Sequence, residues 1–127
     1  MSTKSGAGKM HIKPGHTIWA VNRPDGYAEL LGGLPALARV VESGDEPVDV
    51  VHLFVITREQ LVEELPKVLA AAPEDALVWI SYPRREANPA TDLNRNIVWH
   101  ELVQLGWRAV SGVALDDTWS AVRGRPG

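Results

Sequence analysis

The sequence predicts an α/β fold in which helices cover both faces of a small, mainly parallel sheet. Apolar runs of strand length alternate with segments of helical periodicity, and the connections between them are short. This alternation implies parallel strands joined by right-handed crossovers. The last two strands are separated only by Asp116 and Asp117, so they should form an antiparallel hairpin. The expected architecture is a three-layer sandwich whose sheet ends in this hairpin.

The composition is that of a globular protein. The chain has 127 residues, of which 45% are hydrophobic and 23% are charged. These values suit one domain with one sheet. We expect that domain to span residues 11–123, between a polar, glycine-rich disordered tail at 1–10 and a second disordered tail at 124–127.

Composition also restricts the location and the partners. Cysteine is absent, which excludes disulfides and thiolate chemistry and favours a reducing compartment. No apolar run approaches the roughly 20 residues of a membrane-spanning helix, so we expect a cytoplasmic protein with no membrane partner. A formal net charge of -3 argues against nucleic acid as a partner.

The first part of the domain should contain two strands and a short helix. Residues 17–21 form a β-branched and aromatic run that is ended by the turn formers 22–26. In this turn Gly26 is expected at a positive φ angle. A short helix then starts at Tyr27 and ends at a glycine pair, and the second strand occupies 39–41.

The central elements are a buried strand and a long helix. Residues 48–56 are almost continuously apolar, as in a strand covered on both faces. Thr57 and Gln60 then form a capping box that begins a helix. Pro66 falls inside the apolar stripe of that helix, which predicts a kink or a break into two short helices.

The last part should contain a strand, a helix and the hairpin. The helix should be capped by Thr91 or Asp92, and His100 should lie on its inner side. The expected strands are 76–82, 107–115 and 118–123.

This order of elements resembles a known fold. A terminal antiparallel hairpin on a parallel sheet is the arrangement of class I methyltransferases, and the runs 48–54 and 76–81 resemble the middle of that Rossmann-like fold. From Ile12 to Arg123 the chain also resembles a family of short uncharacterised bacterial proteins, a domain of unknown function. The matching pieces are Ile12-Lys13-Pro14-Gly15, Pro24-Asp25-Gly26-Tyr27, Asp49-Val50-Val51-His52-Leu53-Phe54, Thr91-Asp92-Leu93 and Asp117-Thr118-Trp119-Ser120. The resemblance implies a fold and carries no activity.

The chain departs from a working methyltransferase at the expected cofactor turn. S-adenosylmethionine needs a glycine-rich turn after the first strand, whereas residues 22–26 hold one glycine and the stiff Pro24. Glu42 follows the second strand, about 20 residues past the first, where a ribose-binding carboxylate would lie. Acidic residues in such loops are also common. We therefore expect no cofactor, with S-adenosylmethionine required only if the chain is a divergent methyltransferase.

Other chemical motifs are incomplete. Gly6-Ala7-Gly8-Lys9 is only a fragment of a phosphate-binding loop, because Thr3 and Met10 stand where glycine and serine or threonine are required. We assign it to the disordered tail. The histidines show no metal-ligand spacing and the serines no nucleophile elbow, so no metal site and no catalytic residue is predicted. His52, inside the central strand, is either a neutral core histidine or a residue facing the ligand.

The position of polar residues predicts where a ligand would bind. In open α/β sheets, ligands bind outside the carboxyl ends of the strands, where the strand order reverses. The polar residues expected at that edge are Asn22, Arg23, Glu42, His52, Arg58, Ser81, Arg84 and Arg85. Four arginines beside a capped helix would suit an anionic group such as phosphate. Exposed arginines are also ordinary solubilising residues.

Three functions stay open on the sequence. The leading hypothesis is a non-catalytic, methyltransferase-like binding or regulatory domain for a small anionic ligand or a protein partner. A second copy of the chain, forming a homodimer, is one such partner. The second is a divergent methyltransferase that uses Glu42 for ribose and Asp49 or His52 near the transfer site. The third is a protein-interaction scaffold that pairs through the hairpin edge.

Overall fold

The computed structural model describes residues 5–43, 45–84 and 91–127. Its sheet has six strands, and helices lie on both faces, so the predicted α/β architecture is confirmed. The strands are β1 (Thr17–Val21), β2 (Arg39–Val41), β3 (Val50–Phe54), β4 (Leu77–Pro83), β5 (Trp107–Ala114) and β6 (Trp119–Pro126). The helices are α1 (Gly6–Lys9), α2 (Tyr27–Leu30), α3 (Arg58–Ala71) and α4 (Arg95–Gln104). None of the helices in this described part is both long and apolar enough to cross a membrane.

The strand order is β2-β1-β3-β4-β6-β5. The strands β2, β1, β3 and β4 pair in parallel, and β6 joins β4 and β5 through antiparallel ladders. The predicted C-terminal hairpin is therefore confirmed. The chain moves from β1 outward to β2 and then returns to the other side of β1 at β3. The strand order reverses between β1 and β3, and the carboxyl ends of the parallel strands form one edge of the sheet, called here the carboxyl edge.

The central strand β3 separates two cores. All five of its residues are buried, as its continuous apolar run predicts. Val51 and Leu53 pack in the first core, which contains the buried faces of α3 and α4. Val50 and Phe54 pack in the second core, which contains α1 and α2.

The N-terminal residues are ordered, which corrects the predicted disordered tail at 1–10 for the described residues 5–10. Residues 6–9 form the short helix α1, and Ser5 caps it by accepting a hydrogen bond from the backbone of Gly8. Met10 is fully buried in the second core, and its carbonyl accepts a hydrogen bond from the Trp79 indole. Burial of a large side chain outweighed the local signal of a polar, glycine-rich segment.

The C-terminal tail predicted at 124–127 is also shorter than expected. Strand β6 continues to Pro126, and Gly124 pairs with both Val78 and Ala109. The backbone of Gly127 donates to the carbonyl of Gly106. Two neighbouring strands therefore pair with Gly124, and β5 alone pairs with Arg125 and Pro126, although the side chains of this segment carry no strand signal.

Helix α3 is one element and is not broken at Pro66. Proline removes one backbone donor and leaves the carbonyl four residues earlier, at Val62, without that partner. Pro66 and Val62 are both exposed, so water can hydrogen-bond to this carbonyl. The buried residues Leu61, Leu65, Val68 and Leu69 continue across the proline.

Helix α4 starts later than predicted. Asn94 is its N-cap and accepts a hydrogen bond from the backbone of Ile97, whereas Thr91 and Asp92 use their side chains elsewhere. Val98 and Leu102 form the buried stripe. The predicted inward position of His100 is wrong, because that residue lies about half a turn from both Val98 and Leu102, on the opposite face of the helix, and is exposed.

Candidate functional site

A cleft of about 410 Å³ opens at the carboxyl edge beside the reversal in strand order. It is lined by the turn 22–26, Ala20, Tyr27 and Glu42, and we call it the switch-point cleft. The cleft therefore lies where β1 and β2 end, as the topology of open α/β sheets predicts. Three of the sequence-predicted site residues, Asn22, Arg23 and Glu42, meet there.

Two residues with a left-handed backbone conformation and one side-chain amide fix the turn that lines the cleft. Asn22 has a φ angle of 59° and Gly26 one of 75°, which confirms the expected positive φ at Gly26. Asparagine and glycine tolerate this region better than other residues. The Asn22 amide nitrogen donates to Glu64 Oε2 at 2.7 Å and to the carbonyl of Phe54 at 3.4 Å. This amide ties the turn after β1 to the end of β3 and to α3.

An ion pair spans the ends of β1 and β2. The Arg23 guanidinium donates to the Glu42 carboxylate, and this hydrogen bond lowers the pKa of Glu42 below its ordinary value. The same bond raises the pKa of Arg23. Glu42 keeps its second oxygen as an acceptor and Arg23 keeps further N–H donors. The pair can therefore offer an acceptor and donors to a ligand at the same time.

His52 and Ser81 lie in the interior and not at the ligand-facing edge. The His52 Nδ1 atom is 2.8 Å from the Tyr27 hydroxyl, and His52 Nε2 is 2.6 Å from Ser81 Oγ. His52 and Ser81 are 0% exposed. Of the two interpretations of His52, the structure has the core histidine, because its side chain points to the face of the sheet that α2 covers. Ser81, which was expected at the ligand-facing edge, is buried beside it. Burial lowers the pKa of His52 to about 3, so the imidazole is neutral.

A second cavity of about 610 Å³ lies further along the carboxyl edge. It is lined by residues 91–95, Tyr82, Arg84 and Ser120, and we call it the α4 cavity because the N-terminus of α4 forms one wall. Tyr82 and Leu93 belong to the first core, whereas Ala20 and Tyr27 beside the switch-point cleft belong to the second. The two cavities therefore lie on opposite faces of the sheet.

The predicted convergence of four arginines is not what the structure contains. Arg23 lines the switch-point cleft and Arg84 lines the α4 cavity. Arg58 begins α3, and its backbone N–H donates to Asp92 Oδ1 at 2.8 Å. Arg85 lies outside the described residues. Parallel strands place their carboxyl ends at one edge of the sheet. The loops leave that edge toward opposite faces of the sheet, and this separates Arg23 from Arg84.

Sequence reasoning missed several residues that line the two cavities. The sequence patterns do not predict that Asp25 and Tyr27 line the switch-point cleft. They also do not predict that Tyr82, Asn94 and Arg95 line the α4 cavity. One local signal was present, because an asparagine three residues before Ile97 is a typical N-cap. In the described part of the chain, no group of three or more histidine, cysteine, aspartate and glutamate residues is placed to hold a metal ion.

Solved structures of several methyltransferases are similar to this chain. The ribosomal protein L11 methylase from Lactobacillus delbrueckii subsp. bulgaricus has a TM-score of 0.61 and 12% identity, over 96% of this chain and 75% of that chain. A SAM-dependent methyltransferase from Aquifex aeolicus has a TM-score of 0.60 and 16% identity, over 92% and 85% of the two chains. Magnesium protoporphyrin IX methyltransferase from Synechocystis PCC 6803, with bound SAH, has a TM-score of 0.58 and 7% identity, over 95% and 78%.

These likenesses establish the fold as a reduced, methyltransferase-like Rossmann domain. The similarity extends over almost the whole of this chain, while each of the three enzymes is longer. No family model and no curated protein matches the sequence. Because the identities are between 7% and 16%, the likeness shows the fold alone.

Proposed function

We propose that this chain is a methyltransferase-like binding domain without catalytic activity. Its ligand is a small molecule with vicinal hydroxyl groups, as in a ribose, held in the switch-point cleft. The observation that supports this proposal is the Arg23–Glu42 ion pair, which joins the ends of β1 and β2 beside the reversal in strand order. In nucleotide-binding α/β folds, an acidic residue at this position accepts hydrogen bonds from ribose hydroxyls.

The charges around the cleft favour a neutral, hydroxyl-bearing group. The lining contains the carboxylates of Asp25 and Glu42 and the single guanidinium of Arg23. Glu42 is already paired with Arg23, so an anionic group would have to displace one carboxylate and approach the other. A hydroxyl group needs no such displacement, because it can donate to the second Glu42 oxygen while the ion pair stays intact.

The positions of the candidate catalytic residues support a role without chemistry. Asp49 accepts a hydrogen bond from the backbone of Thr17 at 2.8 Å, at the amino end of β1 and opposite the cleft. His52 is fully buried, and hydrogen bonds occupy both ring nitrogens. A general base must come within hydrogen-bond reach of the proton it removes. Neither residue meets this condition for a ligand in the switch-point cleft.

Isothermal titration calorimetry with adenosine, S-adenosylhomocysteine and S-adenosylmethionine tests this proposal. Binding of the adenosine part should weaken about tenfold or more in Glu42→Gln, because a charged acceptor is replaced by a neutral amide. Glu46→Gln is the matched control, since Glu46 forms an exposed ion pair with Arg39 at the other end of β2. Absence of binding by all three compounds, or equal weakening in both variants, would refute the proposal.

A divergent methyltransferase is the second candidate, and the likeness to methyltransferases supports it. For this function, methyl-labelled S-adenosylmethionine should transfer its label to an acceptor in a cell extract, and Glu42→Gln should abolish the transfer. Binding of the adenosyl compounds without any transfer would support the binding domain instead.

Homodimerisation stays a prediction. It would use β5, which pairs only with β6 among the described strands.

A further inference from the structure

The buried side chains of Tyr27, His52 and Ser81 carry one more proton than the hydrogen bonds between them can use. Burial lowers the pKa of His52 and raises the pKa of Tyr27, so the imidazole is neutral and the phenol is protonated at neutral pH. Each of the three groups therefore has one N–H or O–H donor. Two hydrogen bonds join them, one between His52 Nδ1 and the Tyr27 hydroxyl and one between His52 Nε2 and Ser81 Oγ. One donor is left over.

The spare donor must lie at one end of this chain, on Ser81 or on Tyr27. Among the residues that the structure describes, neither hydroxyl has a hydrogen-bond partner other than His52. If His52 donated from Nε2, the Ser81 proton would be left without an acceptor in a site that is 0% exposed. Because a buried donor without a partner is costly, the Ser81 end is the unfavourable place for it.

The Tyr27 end of the chain adjoins the switch-point cleft. Tyr27 lines the cleft together with Ala20, and Ala20 is the neighbour of His52 in the ladder between β1 and β3. The charge of Arg23 partly opposes the rise in the pKa of Tyr27, so the phenol lies close enough to the guanidinium of the cleft to be affected by it. A spare proton on Tyr27 can therefore bond to an acceptor in the cleft.

Packing keeps the imidazole in one orientation. Its ring centroid lies 4.2 Å from that of Phe54 and 5.5 Å from that of Tyr27. His52 and Phe54 are both buried, so a ring flip that exchanges Nδ1 with Nε2 would require the core to open. With the ring fixed, a Ser81 hydroxyl that donates to Nε2 places the ring proton on Nδ1, and Nδ1 then donates to the Tyr27 oxygen.

We propose that Ser81 holds His52 in its Nδ1–H tautomer, and that the Tyr27 hydroxyl thereby presents its proton to a ligand in the switch-point cleft. Ser81 and His52 are positioning residues, and Tyr27 determines specificity. This inference rests on the proposed function and adds one feature to the ligand. Besides the hydroxyl groups that Glu42 accepts, the ligand needs an acceptor atom that carries no proton, such as a ring nitrogen of a nucleoside base or the ribose ring oxygen.

Long-range ¹H–¹⁵N NMR spectra of the histidine-labelled chain determine the tautomer without any ligand. Protonated and unprotonated ring nitrogens differ strongly in ¹⁵N chemical shift. The His52 signals are those lost in His52→Gln, or those that remain after variants of the other three histidines have assigned the rest. We expect the proton on Nδ1. A proton on Nε2 would overturn the proposal, whatever binds in the cleft.

Calorimetry with adenosine tests the contact between Tyr27 and the ligand. Tyr27→Phe removes only the hydroxyl and should weaken adenosine binding about two- to tenfold, as expected for the loss of one neutral hydrogen bond. Tyr82→Phe is the matched control, because Tyr82 is also buried but packs in the first core, on the opposite face of the sheet. This control should bind adenosine as the wild type does.

Analogues of adenosine distinguish a contact with the ligand from a loss of packing. Deaza analogues replace base nitrogen N1, N3 or N7 by C–H, and a carbocyclic analogue replaces the ribose ring oxygen by a methylene group. One analogue should bind the wild type as weakly as adenosine binds Tyr27→Phe, and Tyr27→Phe should not weaken its binding further. Equal weakening of adenosine and all the analogues by Tyr27→Phe would overturn the proposal. If adenosine does not bind the wild type, the proposed function fails, and the tautomer alone decides this inference.

Discussion

At the scale of single residues, the buried chain from Tyr27 through His52 to Ser81 links the three elements α2, β3 and β4. A neutral imidazole has one donor and one acceptor nitrogen, and a hydroxyl group can take either complementary role. Because burial keeps His52 neutral, one ring nitrogen donates to one hydroxyl and the other ring nitrogen accepts from the second hydroxyl. Tyr27 also lines the switch-point cleft, so this network supports one wall of the proposed binding site.

The stability of the fold should fall in acid because of His52. Its pKa is about 3 in the folded chain against an ordinary value of 6.5. Between these values the unfolded chain binds more protons, so the free energy of unfolding decreases as the pH falls from 6.5 toward 3. The slope from this single group approaches about 1.4 kcal/mol per pH unit. Urea unfolding at a series of pH values measures it.

Two histidine variants distinguish this effect from acid titration of the carboxylates. His52→Gln keeps polar atoms near Tyr27 and Ser81 but does not titrate, so its stability should depend less steeply on pH in this range. His100→Gln removes an exposed imidazole on α4 and should keep the wild-type slope. Identical slopes in the wild type and in His52→Gln would contradict a neutral, buried His52.

At the scale of elements, side-chain oxygens cap the starts of the two long helices. Thr57 caps α3 through a hydrogen bond to the N–H of Gln60, as the capping box predicts. Asp92, from the segment before α4, adds a bond to the N–H of Arg58. Asn94 then caps α4. Residues 91–94 thus support the starts of both helices, and they also form a wall of the α4 cavity.

Loss of the α4 cap should destabilise the fold. Asn94→Ala removes the acceptor for the N–H of Ile97 and should lower the free energy of unfolding by about 1 kcal/mol. Asn96→Ala is a matched control inside the same helix, where alanine has the better helix propensity, so it should be neutral or slightly stabilising. Chemical denaturation measures both. Equal losses in the two variants would mean that Asn94 does not act as the cap.

At the scale of the whole molecule, the N-terminal segment closes the second core. Ala7, Met10 and Ile12 are buried beside α2 and β4, and the Lys9 ammonium donates to the carbonyl of Ala114 on β5 at 2.7 Å. The backbone N–H of Ala7 donates to the carbonyl of Leu31. Residues 7–12 therefore contact both halves of the sheet, and we expect the stability of the fold to depend on their docking.

A pair of neighbouring glycines tests this docking. Gly32 and Gly33 both have positive φ angles, 74° and 95°, so alanine is strained at either position. A Cβ atom at Gly32 would also lie 2.8 Å from Ser5 Cβ, whereas a Cβ atom at Gly33 meets nothing within 4 Å. Gly32→Ala should therefore cost about 1–3 kcal/mol more than Gly33→Ala in urea unfolding. Equal costs would indicate that the N-terminal segment is not held against α2.

The order of strands and helices from β1 onward, the buried central strand, the Thr57 cap of α3 and the terminal hairpin could all be predicted from the sequence. Each is determined by local periodicity or by the chemistry of a turn. The carboxyl edge was also predictable, and with it the placement of Asn22, Arg23 and Glu42 at the end of β1 and β2. The tertiary structure alone decided the rest. Ordering of residues 5–10, the burial of His52 and Ser81, and the separation of Arg23 from Arg84 depend on contacts between segments far apart in the chain, which local patterns do not encode.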